Sequence, residues 1–335
     1  GAVLLSQTQA FSIGAKADET AEPITIQFWH TRGSGANYEV VQHEVEEFNN
    51  TIGKEKGITV EETFIGNYND ILAKTQLAVQ SGEAPQVVVS GNTFVNYLLE
   101  DGVLADMAPL AEETGWDRNN MLDPFQEING NTDGTLYSVP YIRSTPLFYY
   151  NKTMADAKGL TAPTTVEEME EFCKALYEED SVSGLCIGND FGYLQAAHLY
   201  QLGSAYLADD GNSSPALEDG TMEKVLGDWR SWVDEGWCEA YDATDAGTVM
   251  TEEFSQQKLA SMIGSSGASQ YPTYDAEKPV AMIGGGNVCI ISEGNTDEQI
   301  KASWEFVQFL MSDEEVTYNT MHTGYVPVTK SVADY

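Results

Sequence analysis

The chain predicts an α/β protein built as two lobes, and three observations carry that reading. At 335 residues it is long enough for two domains with separate cores. Between residues 24 and 89, strand-like and helix-like stretches alternate as β-α-β-α-β, the order of a three-layer α/β unit. One of those strands, Val87-Val88-Val89, is apolar at every position, as a parallel sheet covered on both faces demands.

Taken in order, Ile24-Thr25-Ile26-Gln27-Phe28-Trp29 reads as a strand, and Gly33-Ser34-Gly35 as the turn that follows it. Val41, Val45 and Phe48 recur at i, i+4 and i+7, one face of a helix. Gly57 to Phe64 alternates Ile58, Val60 and Glu62 as a second strand. Asp70 to Val79 is a helix that Gly82-Glu83-Ala84-Pro85 ends. In the second half, Thr164 to Leu176 is a helix with Thr164 or Thr165 as N-cap and Glu167 and Glu168 favourable in its first turn. Gly184 to Gly188 is a strand. Met222, Val225, Leu226, Trp229, Trp232 and Val233 form one helical stripe, read as core. Leu259 to Ile263 and Val288 to Ile291 are strands, and Ile300, Trp304, Val307 and Met311 mark a late amphipathic helix.

Composition narrows the function. Apolar content of 42% and aromatic content of 10% are globular values. A net charge of −37 excludes nucleic acid and anionic lipid as partners, since both need Lys and Arg in quantity. No stretch reaches the roughly 18 to 20 apolar residues of a membrane span. Residues 1–23 read as a leader remnant or flexible terminus, with Ala15-x-Ala17 as a small-residue cleavage pattern. Cys173, Cys186, Cys238 and Cys289 lack CxxC spacing and paired histidines, so no zinc site is expected. Cys173 and Cys186 are spaced for a disulfide or stand as buried thiols.

Enzyme signatures are missing. His30, His43, His198 and His322 form no HExxH or close pair, and there is no GxSxG elbow or Walker A loop. Gly284-Gly285-Gly286 precedes a strand, which is the wrong context for a dinucleotide loop. Binding features are richer. Gly33-Ser34-Gly35 leads from a strand end into a helix, where backbone N–H groups face outward. Arg32 lies in that turn and Arg143 in a Ser-Thr-Pro loop, two of only four arginines in the chain. They suit a phosphate or carboxylate, or else pair structurally with the many acids.

Three motifs carry a family resemblance: Phe28-Trp29-His30, Tyr141-Ile142-Arg143-Ser144-Thr145-Pro146-Leu147-Phe148-Tyr149-Tyr150-Asn151-Lys152, and Thr323-Gly324-Tyr325-Val326-Pro327. Together they resemble the extracellular solute-binding proteins of bacterial ABC importers, family 1, and within it the glycerol-3-phosphate-binding members. The resemblance implies a two-lobe, periplasmic-binding-protein-like α/β fold with a central ligand cleft and a hinge. It implies lobe I at 24–147 plus 280–335 and lobe II at 148–279. It also implies a secreted monomer, periplasmic or attached to the outer face of the cell membrane, which hands a small ligand to permease subunits without cofactor, metal or bond cleavage.

The resemblance also implies a ligand set. Tyr68 matches the tyrosine of a Gly-Asn-Tyr motif, Ser144 the serine of Ser-Thr-Pro, Ser265 the first serine of Ser-Ser-Gly, Gly285 a glycine of Ile-Gly-Gly, and Tyr325 the tyrosine of Thr-Gly-Tyr. Asn92 stands where those relatives have a glutamate, and Asp190 where they have a tryptophan, with Tyr193 in the same aromatic segment. Trp29, His30 and Arg143 complete the set. Small residues with backbone donors and Arg143 favour a glycerophosphate or glycerophosphodiester. Asn92, Asp190 and the acidity favour a sugar. A secreted hydrolase of glycans or phosphodiesters is the alternative from another class. Between Ser265 and Gly284 the chain is shorter than those relatives by about a strand and its loop. It stops at Tyr335 where they continue to a late ligand-binding arginine, so it reads as a fragment, an omission or a minimal variant.

Overall fold

The structure is a computed structural model that describes residues 23–187, 191–208, 212–241, 246–265 and 284–334, with backbone alone at 191–194, 246–248 and 265. The strands are β1 (Ile24–His30), β2 (Ile58–Phe64), β3 (Val87–Gly91), β4 (Val139–Ser144), β5 (Pro146–Tyr150), β6 (Leu185–Ile187), β7 (Cys238–Ala240), β8 (Ser261–Ser265) and β9 (Gly284–Ile290). They form two sheets, ordered β2-β1-β3-β9-β4 and β5-β8-β6-β7. In the first, β1 pairs with β2 and β3 in parallel, while β9 lies antiparallel to both β3 and β4. In the second, β6 is parallel to β7 and β8, and β5 antiparallel to β8. The chain passes from one sheet to the other at Thr145.

The first sheet is covered on both faces, so its central strands carry no exposed side. Val87 and Val89 of β3 join Phe28, Phe48 and Phe306 in one core, and Val88 joins Ile71 and Leu98 in another. β9 and the residue after it alternate in the same way, with Val288 and Ile290 in the first core and Cys289 and Ile291 in the second. Helix α1 (Gly35–Asn50) buries Val41, Val45 and Phe48 as its periodicity predicts, and with them Glu44. Helix α2 (Tyr68–Ser81) is opened by a capping box between Asn67 and Asp70 and ended by Gly82 in the left-handed region.

In the second sheet's layer, helix α3 (Val166–Leu176) is capped by Thr165, whose hydroxyl accepts from the Glu168 amide while the Glu168 carboxylate accepts from Thr165. Helix α4 (Thr221–Asp234) buries Met222, Val225, Trp229 and Trp232. Leu226 and Val233 are instead 45% and 36% exposed, because they flank the buried arc one row further round the helix. Back on the first sheet, helix α5 (Asp297–Leu310) places Trp304 and Val307 in the core, and helix α6 (Asp313–Thr323) packs on α1.

Three sequence expectations change. Arg143 and Ser144 are the last residues of β4, not part of a loop. Gly284-Gly285-Gly286 begin β9 instead of preceding it. Leu259 makes only an isolated bridge with Ser183, ahead of β8. All four cysteines are buried free thiols, so Cys173 and Cys186 form no disulfide. The leader reading of residues 1–22, the shortened segment near 268–279 and Asp190 lie outside the described residues.

Candidate functional site

The strand directions of the first sheet gather chemistry at one edge. The carboxyl ends of β1, β3 and β4 and the amino end of β9 all lie there, because β9 runs against β3 and β4. Register places Arg143 opposite Gly285, Ser144 opposite Gly284, and Ser90 opposite Asn287. This is the edge from which the chain crosses to the second sheet, and ligands of open α/β sheets sit outside such carboxyl ends. Gly285 is required here. Its φ is +93°, and a Cβ would collide with the Ile142 carbonyl oxygen.

One half of the edge is a guanidinium–amide cluster. Arg143 is 2% exposed, its Nη1 donates to Asn92 Oδ1 and to Asn287 Oδ1, both at 3.2 Å, and its guanidinium lies 4.9 Å from the Phe125 ring centre. Asn92 Oδ1 also accepts from Asn129 Nδ2 at 3.1 Å and Asn287 Nδ2 at 3.4 Å. Three side chains thus fix the Asn92 amide, and no described group accepts from its Nδ2. The backbone N–H of Asn92 donates to Gly285, and that of Val326 to Arg143, which carries Tyr325 to the same edge.

The other half surrounds Arg32. It is 3% exposed, its Nη2 donates to Asn319 Oδ1 at 2.8 Å, and its guanidinium lies 4.8 Å from the Tyr141 ring and 5.2 Å from the Tyr325 ring. The loop is tied down by His30, whose Nδ1 accepts from the Arg32 amide at 3.2 Å. That fixes the tautomer, so His30 Nε2 donates to Glu62 at 2.7 Å. Burial, the largest cause, holds His30 below its ordinary value although Glu62 opposes it. Tyr68 lies against Gly91 and Gly286, where any side chain would meet its ring. Burial pushes its phenol up, the Tyr325 phenol adds to this, and Arg32 and Arg143 pull it back, so these four groups share one field.

Of the residues singled out from the sequence, Tyr68, Asn92, Arg143, Ser144, Gly285 and Tyr325 come together at this edge. His30 is fully buried with both ring nitrogens engaged, so it positions the Arg32 loop and has no nitrogen left for a ligand. Trp29 points to the opposite face of β1, partly buried against the core of Ile71 and Val88. Ser265 and Tyr193 lie in described backbone, at the end of β8 and in the helix Phe191–Gln201, with their side chains outside the description. Asn287, Asn129, Tyr141 and Asn319 were not anticipated. Only Asn287, a polar residue inside an apolar strand, offered a signal.

A family model described as bacterial extracellular solute-binding protein matches residues 45–335. The chain belongs to this family. Among relatives of this solute-binding protein, the sn-glycerol-3-phosphate-binding periplasmic protein UgpB of Rhizobium meliloti is 24% identical, over 98% of this chain and 80% of its own. UgpB of Brucella abortus is 26% identical over 97% and 79%. Among solved structures, UgpB of Mycobacterium tuberculosis in complex with glycerophosphocholine superposes with a TM-score of 0.79, 23% identity, and 93% and 80% coverage. The GacH receptor of Streptomyces glaucescens, solved unliganded and in complex with acarbose, superposes with a TM-score of 0.77, 20% identity, and 93% and 82% coverage. These superpositions establish the two-lobe fold with its central cleft. No helix among the described residues is long and apolar enough to cross a membrane.

Proposed function

We propose that this solute-binding protein captures a phosphate ester of glycerol, either glycerol-3-phosphate or a glycerophosphodiester, and delivers it to the permease of an ABC importer outside the cytoplasm. The observation that carries the reading is the pairing of two buried arginines, Arg32 and Arg143, with Tyr68, Asn92 and Tyr325 at one sheet edge. In a chain of net charge −37, cations held at one place form a local site for an anion. The relatives named for glycerol-3-phosphate support the same ligand class.

The ligand is held between lobe I (24–147 plus 280–335) and lobe II (148–279), and the lobes close about the crossing at Ser144–Pro146. Asp190, Tyr193 and Ser265 contribute from the second lobe. No bond is broken, the ligand leaves unchanged, and the protein works as a monomer. A sugar is the second reading, favoured by the Asn92–Asn129–Asn287 amide cluster, which is suited to hydroxyls.

A thermal-shift panel of glycerol-3-phosphate, glycerophosphocholine, maltose and other sugars tests this, because a ligand of the folded state alone raises Tm. A rise with the phosphates, lost in Asn92→Leu, is expected. A rise with sugars alone reassigns the site to the second reading. Turnover of either phosphate ester would overturn the transport role.

A further inference from the structure

Arg32 presents a problem that the protein alone does not solve. The residue is 3% exposed, yet only Nη2 finds an acceptor, while the buried Nε and Nη1 have no hydrogen-bond partner. The Tyr141 and Tyr325 rings attract the cation but accept nothing in the plane of its N–H groups. Unmade hydrogen bonds of a buried charge are costly and call for a specific explanation. Glu44 presents the complementary problem. It is fully buried in the apolar face of α1, Oε2 accepts from the Tyr141 hydroxyl, and Oε1 has no partner. No direct ion pair joins the two. Tyr141 bridges them, stacked on the guanidinium by its ring and bonded to the carboxyl by its hydroxyl.

We propose that Arg32 is the anion contact of the cleft and Glu44 its internal counter-ion, so that a phosphate-bearing ligand binds with uptake of a proton by the Glu44 carboxyl. The proposal rests on the phosphate-ester reading above and adds its linkage to pH. The partly exposed Tyr325 ring lies 5.2 Å from the Arg32 guanidinium, and Glu44, on the buried face of α1, feels the same cation. One guanidinium therefore serves two anions, and two anions that close resist being ionised together.

Among the described residues, Arg32 is the cation whose charge acts on Glu44. Tyr141 faces it from β4, Glu47 and His43 lie along α1, and Glu314 and Glu315 come from α6. His43 Nε2 lies 3.7 Å from Glu315 Oε2, beyond hydrogen-bond distance, and its ring stacks on Tyr318. Burial holds the Glu44 carboxyl up at about 7, against the pull of Arg32 and the Tyr141 hydrogen bond, so it changes charge in the neutral range. A ligand anion drawing on Arg32 raises that value further, so the proton enters with the ligand and affinity falls as pH rises above neutrality.

Calorimetry with the full chain and glycerophosphocholine decides the matter, because the phosphodiester itself has no group titrating near neutrality. At about pH 7.5, in two buffers of different ionisation enthalpy, the wild type should show a buffer-dependent heat corresponding to proton uptake. Its affinity should fall by up to about tenfold per pH unit above that point. Glu44→Gln should bind with a buffer-independent heat, and Arg32→Gln should lose about tenfold or more in affinity. Tyr141→Phe, a second handle if Glu44→Gln does not fold, should move the pH midpoint upward by removing a donor to the charged form. Binding with no proton uptake, or unchanged affinity in Arg32→Gln, overturns the inference and leaves the phosphate reading standing. Failure of both glycerophosphocholine and glycerol-3-phosphate to bind overturns the two together.

Discussion

Side by side, the edge of the five-stranded sheet and the core behind the four-stranded sheet bury side chains of opposite character. At the edge, Arg32, Arg143, Ser144 and Asn287 are each at most 3% exposed, with Arg143 held by the Asn92 and Asn287 amides and Arg32 by the Asn319 amide and two tyrosine rings. Behind the second sheet, Trp232, Trp229, Phe172, Phe148 and Leu185 fill the interior with Cys173 and Cys238 among them. Apolar burial stabilises wherever it occurs, whereas buried polar groups stabilise only if every partner is present. The two regions therefore divide the work. One supplies stability that tolerates no loss of volume, and the other supplies a shaped polar surface whose stability hangs on single hydrogen bonds.

Substitutions sharpen that division, beginning with the largest effect. Trp232→Ala, at 1% exposure on α4, should lower unfolding stability by about 3–5 kcal/mol in a denaturant titration while the surviving folded protein keeps its ligand affinity. A parallel fall in affinity would mean that the regions are not separate. Asn287→Leu removes one of the two amides on Arg143 Nη1 and should cost about 1–3 kcal/mol together with most of the thermal shift on ligand addition. An unchanged Tm and an unchanged shift would deny the amide cluster its role.

Glu315 gives a pH signature for the polar side. It is 1% exposed, and burial first, then Glu44, Glu314 and Glu47, push its carboxyl from 4.5 to about 7. A folded value above the unfolded one means that the folded state holds the extra proton. The contribution is present in full below about 4.5 and is lost as pH rises through about 7. Glu315→Gln should flatten the decline in stability between pH 5 and pH 8 by on the order of 1–2 kcal/mol. Curves of the same slope for both proteins would show that Glu315 titrates in the folded state as it does in the unfolded one, well solvated and ionised across this range. Smallest of all, Leu226→Ser on the exposed flank of α4 should change stability by less than about 0.5 kcal/mol, a null against which Trp232 is read.

Local order was legible because local chemistry writes it. Val87-Val88-Val89 announced a covered strand, and Thr165 with Glu168 announced a helix start that the structure caps in that way. The site was legible by motif and hardly by pattern. Arg143 and Ser144 looked like a loop because Thr145-Pro146 follows, yet they extend β4, and Arg143 is fixed by Asn92 and Asn287, 51 and 144 residues away. His30 looked like a contact residue because nothing nearby in sequence reveals Glu62 as the acceptor of its proton. Glu44 was hidden by its setting, one acid among many in α1, with only its place between Val41, Val45 and Phe48 to mark it as buried. Partners brought in by topology leave no trace in a periodicity.

The four buried thiols have a practical consequence. Burial pushes all of them up, Cys173 to about 12, so none offers a thiolate to an alkylating dye near neutral pH. A single cysteine introduced at the exposed Tyr97, close in sequence to Asn92, would then be the one position to take a fluorophore without removal of any native thiol. Such a chain would report its own ligand optically, as a sensor in which one engineered thiol carries the signal and the native sulfur stays silent.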